Sequence, residues 1–393
     1  MVIPPTVTDG LGTTFTVTEV GEEYGHNCKN VTSVKLPETI KKIGSGSFGE
    51  STITKLDIPK NVEDISFTAW VKLSQNPECK VVLDNPTFES DAHGVLYTKG
   101  KGELRTVPSN IMTKVSGDTY TVNTDVKSIT VGAFAEAPNL KKIKLPIGLK
   151  KTGEGWPSIA STPTLEAFEM DGVGTNFQVV DGVLFTKGPQ KLVLYPQAKN
   201  VENYTVPAGV ETVASYGISG NKYMTSIDLK DVTKVDISAL VNLLKLKNIT
   251  LPKNLKKKGL AEGAFEGCAA LEEYKVASGN TDFTADSGVL FSADKKTLYF
   301  YPIAKRDTAY TIPNTVKVIA DKAFQGASKL TSLVIPASVD SINSQAFRQN
   351  YNLTSVKFIE PSNITHLANY AFWSCLKLKE VTLPSSITKI GKA

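Results

Sequence analysis

The feature that most constrains this chain is a short phrase that recurs about every 23 residues. The phrase is apolar-x-x-apolar-x-apolar, often followed by proline, and a shorter form, Tyr-Thr-Val/Ile, stands in three places. Ten of the thirteen intervals between successive phrases span 22 to 25 residues. The last apolar residues of the phrases are Leu36, Ile58, Val81, Val122, Leu145, Met170, Val206, Leu229, Leu251, Val276, Ile312, Ile335, Phe358 and Leu383.

A repeat of this length predicts a solenoid. One such unit carries a single short strand and cannot bury its own apolar side chains, but stacked units bury them in continuous internal ladders. Strands at the same place in successive coils then pair in parallel. We therefore predict one mainly β solenoid over residues 1–393, a curved, right-handed coil of about fourteen turns of 22–25 residues with one parallel sheet.

Three intervals are longer than the rest, and they resemble one another. Each contains a GVLY or GVLF phrase, then polar residues, then a second apolar run that ends in proline, as in "GVLFTKGPQKLVLYP" (182–196) and "GVLFSADKKTLYFYP" (288–302). Two short apolar runs joined by a polar turn are typical of a β-hairpin. We place three hairpin insertions near 88–118, 177–203 and 283–309.

A second recurrent phrase, Ala-Phe, predicts an aromatic spine on the side opposite the strands. The rings would stack from coil to coil, and each alanine leaves room for a neighbouring ring. Tyr24-Gly25 and Gly217-Ile218 stand where Ala-Phe is expected, so the spine should be thinner there. The predicted spine consists of Phe48, Phe134, Phe265, Phe324, Phe347 and Phe372.

The residues that most often carry chemistry are explained by the repeat. "GSGSFG" (44–49) matches the dinucleotide-binding spacing, but Phe48 is a spine residue and the glycines fill the turn before it. Cys28, Cys79, Cys268 and Cys375 lie in coils too far apart to pair, so we expect unpaired, buried thiols. His26, His93 and His366 lie in unrelated coils. We expect no catalytic residue, no metal site and no cofactor.

Composition excludes two classes of partner. The net charge of +5 is small for 393 residues and the basic residues are dispersed, which argues against a nucleic-acid-binding surface. The sequence contains no run of about 20 apolar residues, which a membrane-spanning helix would require. The lysines of "LKKIKLP" (140–146) and "KNLKKKG" (253–259) form either a solvated edge or a contact patch for an acidic partner.

The full pattern, Leu-x-x-Leu-x-Ile-Pro-x-x-Val-x-x-Ile-Gly-x-x-Ala-Phe-x-x-Cys, resembles the BspA-type leucine-rich repeat. "LKEVTLPSSITKIGKA" (378–393) and "AFEGCAALEEYKV" (264–276) carry the resemblance most clearly. It implies a bacterial, Bacteroides-like protein that is secreted to the cell surface, commonly as a lipoprotein, and that binds host matrix proteins or other bacteria as an adhesin. Because "VIPPTV" and "ITKIGKA" are parts of coils and no leader is present, we expect an excised segment or ends covered by a neighbour.

The outward positions of the predicted strands form the candidate binding surface. They are polar, mixed in charge and poor in aromatic residues, which favours a protein partner over a glycan. The alternatives are a carbohydrate-binding surface protein of a gut bacterium, for which Trp156 and Trp373 would be the platforms, and a passive structural spacer. The candidate partner-binding residues are Lys35, Lys55, Asp57, Lys142, Lys144, Asp228, Asn248, Thr250, Ser332, Ser355, Lys357 and Glu380.

Overall fold

The computed structural model describes residues 1–25, 28–49, 51–66, 68–70, 76–135, 137–153, 162–188, 190–261 and 263–392. Over these residues the chain is a β-solenoid of about fifteen turns with almost no helix, as the repeat predicts. The coils group into two compact units, Met1–Lys199 with Val213–Asn221, and Asn200–Thr212 with Lys222–Ala393. Both units are built from the same kind of coil. A single continuous solenoid over residues 1–393 stays a prediction.

The recurrent apolar phrase forms one strand per coil, here called a face strand, except in the last phrase, 378–383, which forms none. In Lys55–Ile58, Leu56 and Ile58 are buried while Lys55 and Asp57 are exposed. This alternation arises because successive side chains of a strand point to opposite sides of the sheet. The apolar residues therefore form the inner ladder and the polar residues form an outer row.

Face strands of successive coils pair in parallel and in register within four separate sheets, and the pairing is interrupted at each of the three insertions. Lys55–Ile58 pairs residue by residue with Glu78–Val81. A slip of one residue would turn the buried side chains outward, so the alternation itself fixes the register. Val2 bridges Lys35 in parallel and adds one turn before the first counted phrase. The face strands are Ser33–Val34, Lys55–Ile58, Glu78–Val81, Thr119–Thr121, Lys142–Lys144, Ala167–Glu169, Asn203–Thr205, Ser226–Asp228, Asn248–Leu251, Glu273–Val276, Ala309–Thr311, Ser332–Ile335 and Ser355–Phe358.

A second set of parallel strands, here called flank strands, forms sheets separate from those of the face strands, where the sequence predicts one parallel sheet. They are short because the chain turns toward the spine directly after the buried residue, as at Ile43. A Cβ on Gly44 would lie 3.1 Å from the carbonyl oxygen of Val20 in the preceding coil, so glycine allows the coils to approach there. The flank strands are Glu19–Val20, Lys42–Ile43, Asp64–Ile65, Ser128–Ile129, Lys151–Thr152, Val210–Val213, Lys234–Val235, Val318–Ile319, Ser341–Ile342, His366–Leu367 and Lys389–Ile390.

Each insertion is a three-stranded antiparallel meander. In the third, Phe283–Asp286 pairs with Val289–Ser292, which pairs with Thr297–Phe300. Thr297–Phe300 then pairs in parallel with Val318–Ile319, so it takes the place of a flank strand in its own coil. The predicted hairpin is confirmed, and a further strand precedes it. The other two meanders are Phe88–Ser90, Leu96–Thr98 and Glu103–Thr106, and Phe177–Val180, Val183–Thr186 and Gln190–Leu194.

The tight turns of the second and third meanders follow from their sequences. Asp181 and Gly182 have φ values of 47° and 73°, and Ser287 and Gly288 have values of 49° and 80°. Two successive residues with positive φ make a type I′ turn, whose twist matches that of the flanking strands. The glycine of each GVLF phrase therefore closes the hairpin.

Of the predicted spine residues, Phe324, Phe347 and Phe372 contact one another from coil to coil, whereas Phe48, Phe134 and Phe265 contact other aromatic rings. In the second unit the ring of Phe324 lies 4.9 Å from that of Tyr301 and 5.2 Å from that of Phe347, which lies 5.0 Å from Phe372. In the first unit Phe48 stacks on Trp70 at 6.1 Å. Burying such rings stabilises each coil by roughly 2–3 kcal/mol relative to an exposed side chain.

Few other elements complete the described chain. Thr6–Thr8 and Thr14–Thr16 form an antiparallel hairpin, and three short 3₁₀ turns occur at Lys99–Lys101, Ile111–Thr113 and Lys257–Gly259. No helix in the described ranges is long and apolar enough to cross a membrane.

Candidate functional site

The structure places the candidate partner-binding residues at outward positions on or beside the face strands. All of them are exposed or half-buried, and all except Glu380, whose phrase forms no strand, have a buried neighbour along the chain. In the first unit these residues are Lys35, Lys55, Asp57, Lys142 and Lys144. In the second unit they are Asp228, Asn248, Thr250, Ser332, Ser355, Lys357 and Glu380.

Parallel register brings some of these residues into rows. Ser332 lies directly opposite Ser355, and Asp228 lies opposite Thr250. Such neighbours are about 4.8 Å apart across the sheet. Lys55 and Lys142 are not brought together, since Lys55 pairs with Glu78 while Lys142 pairs with Thr119 and Ala167. The candidate surface therefore consists of separate rows.

The lysines of "LKKIKLP" are neutralised by acids of adjacent coils. Lys142 Nζ lies 3.3 Å from Asp118 and 3.9 Å from Glu169, and Lys144 Nζ lies 2.8 Å from Asp171. The hydrogen bond with Asp171 raises the pKa of Lys144 above its ordinary value, and the bond from Lys142 lowers that of Asp118. This patch presents paired charges to a partner.

Sequence reasoning missed these acidic partners. Glu169 lies opposite Lys144 in the neighbouring face strand, one repeat interval further along the chain. Comparing residues at the same register of successive phrases would have found Glu169. Asp118 and Asp171 lie just outside face strands and give no such signal.

The lysines of "KNLKKKG" are held against the third insertion. Lys256 Nζ lies 3.3 Å from Asp282 and also contacts the hydroxyl of Thr281. Lys257 Nζ lies 5.3 Å from the centre of the Tyr299 ring, within the range of a cation–π interaction. These charges anchor the insertion to the preceding coil.

A cavity of about 310 Å³ lies beside the third insertion, within the second unit. This is the lower end of the size range of small-ligand pockets. Apolar side chains form most of it and acidic, basic and amide groups stand at its edge. The lining residues are Gly263, Phe265, Glu266, Gly267, Cys268, Leu271, Tyr274, Phe300, Tyr301, Ile303, Asp321, Lys322, Ala323, Gln325, Gly326 and Gln349.

Three rings packed against each other form one wall of this cavity. The centre of the Phe265 ring lies 5.8 Å from that of Tyr274 and 6.0 Å from that of Phe300, and Tyr274 lies 5.9 Å from Phe300. Edge-to-face and tilted packing at these distances stabilises aromatic clusters. Burial raises the pKa of the neighbouring Cys268 thiol to about 11, so this cysteine is not a nucleophile at neutral pH.

The four cysteines are free thiols, as the sequence predicts. Cys79, Cys268 and Cys375 are buried, and Cys28 is half-buried. Burial raises the pKa of Cys79 to about 12. These thiols therefore act as small apolar core residues.

The described tryptophans, Trp70 and Trp373, stand in different environments. Trp373 is 43% exposed and stacks on the Arg348 guanidinium at 4.7 Å, whereas Trp70 is buried. Trp156 and His26 lie outside the described residues. Within the part of the chain that the structure describes, no three His, Cys, Asp or Glu side chains are arranged to hold a metal ion.

The repeat geometry agrees with one protein family. The family model of the BspA type leucine-rich repeat region matches residues 12–91, 98–174, 194–290 and 299–393. The chain belongs to the BspA-type leucine-rich repeat family. The matched ranges cover most of the face strands, flank strands and spine turns of both units.

Solved structures with a similar fold come from bacteria. A leucine-rich cell surface protein of Faecalibacterium prausnitzii is 19% identical with a TM-score of 0.46. The match covers 91% of this chain and 86% of that protein's chain. A leucine-rich repeat protein of Eubacterium ventriosum is 19% identical with a TM-score of 0.49, covering 96% and 87%. The pneumococcal vaccine antigen PcpA is 18% identical with a TM-score of 0.34, covering 100% and 83%. Among curated proteins, none matches this chain.

Proposed function

We propose that this chain is a non-enzymatic adhesion module that binds a protein partner at the surface of a bacterial cell. The observation that carries the proposal is the strict alternation along the face strands, which places polar side chains of successive coils in outward rows. Solenoids commonly bind through such extended surfaces. Membership of the BspA-type family supports a protein-binding or surface role.

The chemistry of these rows suits a protein partner. Ser226 Oγ donates to Asn203 Oδ1 at 2.6 Å across adjacent coils, in a row that Asn248 extends. Side chains fixed before binding lose less conformational entropy when the partner arrives. Mixed charges at the rows provide electrostatic complementarity, which gives specificity and orientation. A host matrix protein or another cell-surface protein is the partner we propose.

Binding to an immobilised panel of matrix proteins, mucins and defined glycans, at low and high salt, tests the proposal. We expect saturable binding to a protein, and a loss of about tenfold in affinity in the double variant Lys142→Ser/Lys144→Ser. The matched control is Lys150→Ser/Lys151→Ser, which removes the same charge from exposed residues at a flank strand of the same unit. Equal loss in both variants would show that net charge, and not the face strands, drives binding.

Carbohydrate binding is the second candidate, and the cavity beside the third insertion is the observation that favours it. The amide groups of Gln325 and Gln349 at its edge are groups that sugars contact in proteins. Binding confined to the glycans of the panel would establish this function in place of the first. No saturable binding to any member would favour the passive spacer.

A further inference from the structure

The spine turns of neighbouring coils are joined by a regular set of backbone hydrogen bonds. Alternate N–H groups of one turn donate to alternate carbonyl oxygens of the next, with donor–acceptor distances of 2.7 to 3.1 Å. These bonds join the coils on the side opposite the face strands. They run from Lys322, Phe324 and Gly326 to Ser344, Ala346 and Arg348, and from Gln345, Phe347 and Gln349 to Asn369, Ala371 and Trp373.

The set is interrupted at the third insertion. The equivalent donors of the preceding turn are Gly263, Phe265 and Gly267, and their N–H groups have no acceptor among the described residues. On the far side, Ala323 accepts one bond, from the Tyr301 N–H at 2.7 Å. The insertion thus supplies one bond where a full turn supplies three.

The carbonyl groups that flank Ala323 are also open. The equivalents of Ser344 and Arg348 are Asp321 and Gln325, and neither backbone carbonyl accepts a bond from the residues that the structure describes. A row of unpaired backbone donors facing unpaired acceptors is the feature by which a sheet edge recruits an extended chain. The gap therefore has the hydrogen-bonding groups of a missing turn.

The cavity of about 310 Å³ lies in this gap. Every residue whose backbone is left open lines it, together with the side chains of Phe265, Leu271, Phe300 and Ile303. Buried polar backbone groups are normally paired, so a ligand that supplies carbonyls and amides gains more here than at a closed turn. An apolar side chain gains from covering the parts of Phe300 and Ile303 that remain exposed.

We propose that this cavity binds an extended peptide segment of a partner protein. The peptide places one large apolar side chain against Phe265, Phe300 and Ile303, and its backbone pairs with the open groups of the two spine turns. Glu266 and Asp321 at the edge outnumber Lys322, which lies 3.8 Å from Glu266. The excess negative charge favours a lysine or arginine beside the apolar side chain. This site is separate from the face strands and does not depend on the function proposed for them.

A peptide fits this lining better than a sugar ring does. Phe265 and Tyr274 are 8% and 5% exposed, so their ring faces are covered by protein and do not form an open platform. A sugar ring would also leave hydroxyl groups against Leu271 and Ile303, where burial of an unpaired hydroxyl is unfavourable.

The test uses fluorescein-labelled heptapeptides Gly-Ser-Lys-X-Lys-Ser-Gly, blocked at their C-termini, with X as Trp, Leu or Ala. Fluorescence polarisation with the full chain should show at least tenfold tighter binding for Trp or Leu than for Ala. Hydrogen exchange should slow at the amides of Gly263, Phe265 and Gly267 when the peptide is added. Affinity that does not depend on X, or amides that stay unprotected at saturation, would overturn the proposal.

Variants distinguish binding in the cavity from nonspecific binding. Ile303→Trp fills the cavity and should weaken binding of the Trp and Leu peptides at least tenfold. Gln197→Trp places the same large side chain at the equivalent position of the second insertion and should leave peptide binding unchanged. Glu266→Gln, at an exposed position, should weaken the lysine-flanked peptides about threefold and leave serine-flanked ones unchanged. Unchanged binding in both Ile303→Trp and Glu266→Gln would place the peptide elsewhere.

Two further arms exclude other occupants and other surfaces. Protection of the three amides by maltohexaose or xylohexaose, with no peptide binding, would show a glycan site and overturn the proposal. The face variant Lys142→Ser/Lys144→Ser should bind the heptapeptides as the parent chain does. Loss of heptapeptide binding in that variant would place the peptide on the face strands and would overturn the assignment to the cavity.

Discussion

Asn76 lies two residues before the face strand Glu78–Val81, which leads into the first insertion. Leu271 holds the same position before the face strand that leads into the third insertion. The Asn76 amide donates to the carbonyl oxygens of Val107, Gly132 and Ala133 at 3.2 to 3.3 Å. The side chain of Leu271 has no amide group to donate, and it lines the cavity. A polar side chain therefore bonds to the backbone in the first insertion at the position where the third has an apolar one.

The residues around these two positions are also polar in the first insertion and apolar in the third. Ser109 in the first insertion accepts a hydrogen bond from the Asn76 N–H at 2.7 Å, and its equivalent in the third is Ile303. Thr106 in the first insertion stands where the third has Phe300. The meanders share their strand order, so the repeat fixes the backbone and leaves the interior of each insertion free to become a polar plug or an apolar cavity.

The largest expected effect concerns the spine on the two sides of the third insertion. Phe324→Ala should lower the free energy of unfolding by about 3–5 kcal/mol, because the ring is fully buried and stacks between Tyr301 and Phe347. Phe265→Ala should cost about half as much, since that ring already borders a cavity. Urea unfolding followed by circular dichroism measures both. Equal losses would mean that the cavity is filled in solution.

The polar plug of the first insertion can be broken by Asn76→Leu. We expect a loss of about 2–3 kcal/mol, because the Val107 carbonyl loses its donor and the buried leucine stands against polar groups such as the Ser109 hydroxyl. Asn352→Leu is the matched control: Asn352 Nδ2 donates to the Ser328 carbonyl at an exposed site, where water replaces it. Urea midpoints compare the two variants, and a loss no larger than that of the control would refute the plug.

Glu78, in the face strand before the first insertion, should make the stability of the chain depend on pH. Hydrogen bonds from Asn110 and Lys114 hold the pKa of Glu78 below its ordinary value. A depressed pKa in the folded state gives stability that is present above the ordinary glutamate pKa of about 4.3 and is lost as the pH falls through the folded value.

Glu78→Gln tests this dependence on pH. The variant should be less stable than the parent chain by about 1 kcal/mol at pH 7, and the difference should shrink below pH 4. Glu273→Gln is the matched variant at the equivalent position of the third insertion. Melting temperatures at pH 7, 5, 4 and 3 distinguish the two, and a difference that does not change with pH would contradict the assignment.

The smallest expected effect lies outside both insertions. Lys144→Ser removes the ion pair with Asp171, which is 78% exposed, and should shift the melting temperature by less than about 1 °C because water and salt screen such pairs. The shift should vanish in 0.5 M sodium chloride. A shift of several degrees would mean that the polar rows stabilise the coils as well as facing a partner.

Most of the fold could be predicted because its signals are local and repeated. Leu56 and Ile58 are apolar at alternate positions of one phrase, and the next phrase repeats them after 23 residues, so pattern and register agree. The flank strands escaped prediction because two residues such as Lys42–Ile43 carry no periodicity of their own. The first strand of each meander was missed for a similar reason, since one aromatic residue such as Phe283 does not show a strand.

The candidate surface was predicted more completely than its electrostatics. Alternation places Lys142 and Lys144 outward, and the structure agrees. The acids that neutralise them, Asp118 and Asp171, lie outside the strands on adjacent coils, where the repeat pattern does not predict which residues meet. The sequence therefore predicted a cationic patch as one reading, and the structure shows paired charges.

By itself the sequence determined the length of the coil, the side of each strand that faces the core, the aromatic spine and the places where the repeat is interrupted. These follow from alternation within a phrase and from the interval between phrases. The tertiary structure alone decided that Asn76 reaches carbonyls 31 to 57 residues away, while Gly263, Phe265 and Gly267 face a gap. The reason is that an insertion replaces a full turn with a single backbone bond, and what fills the remaining space depends on side chains that only stacking brings together.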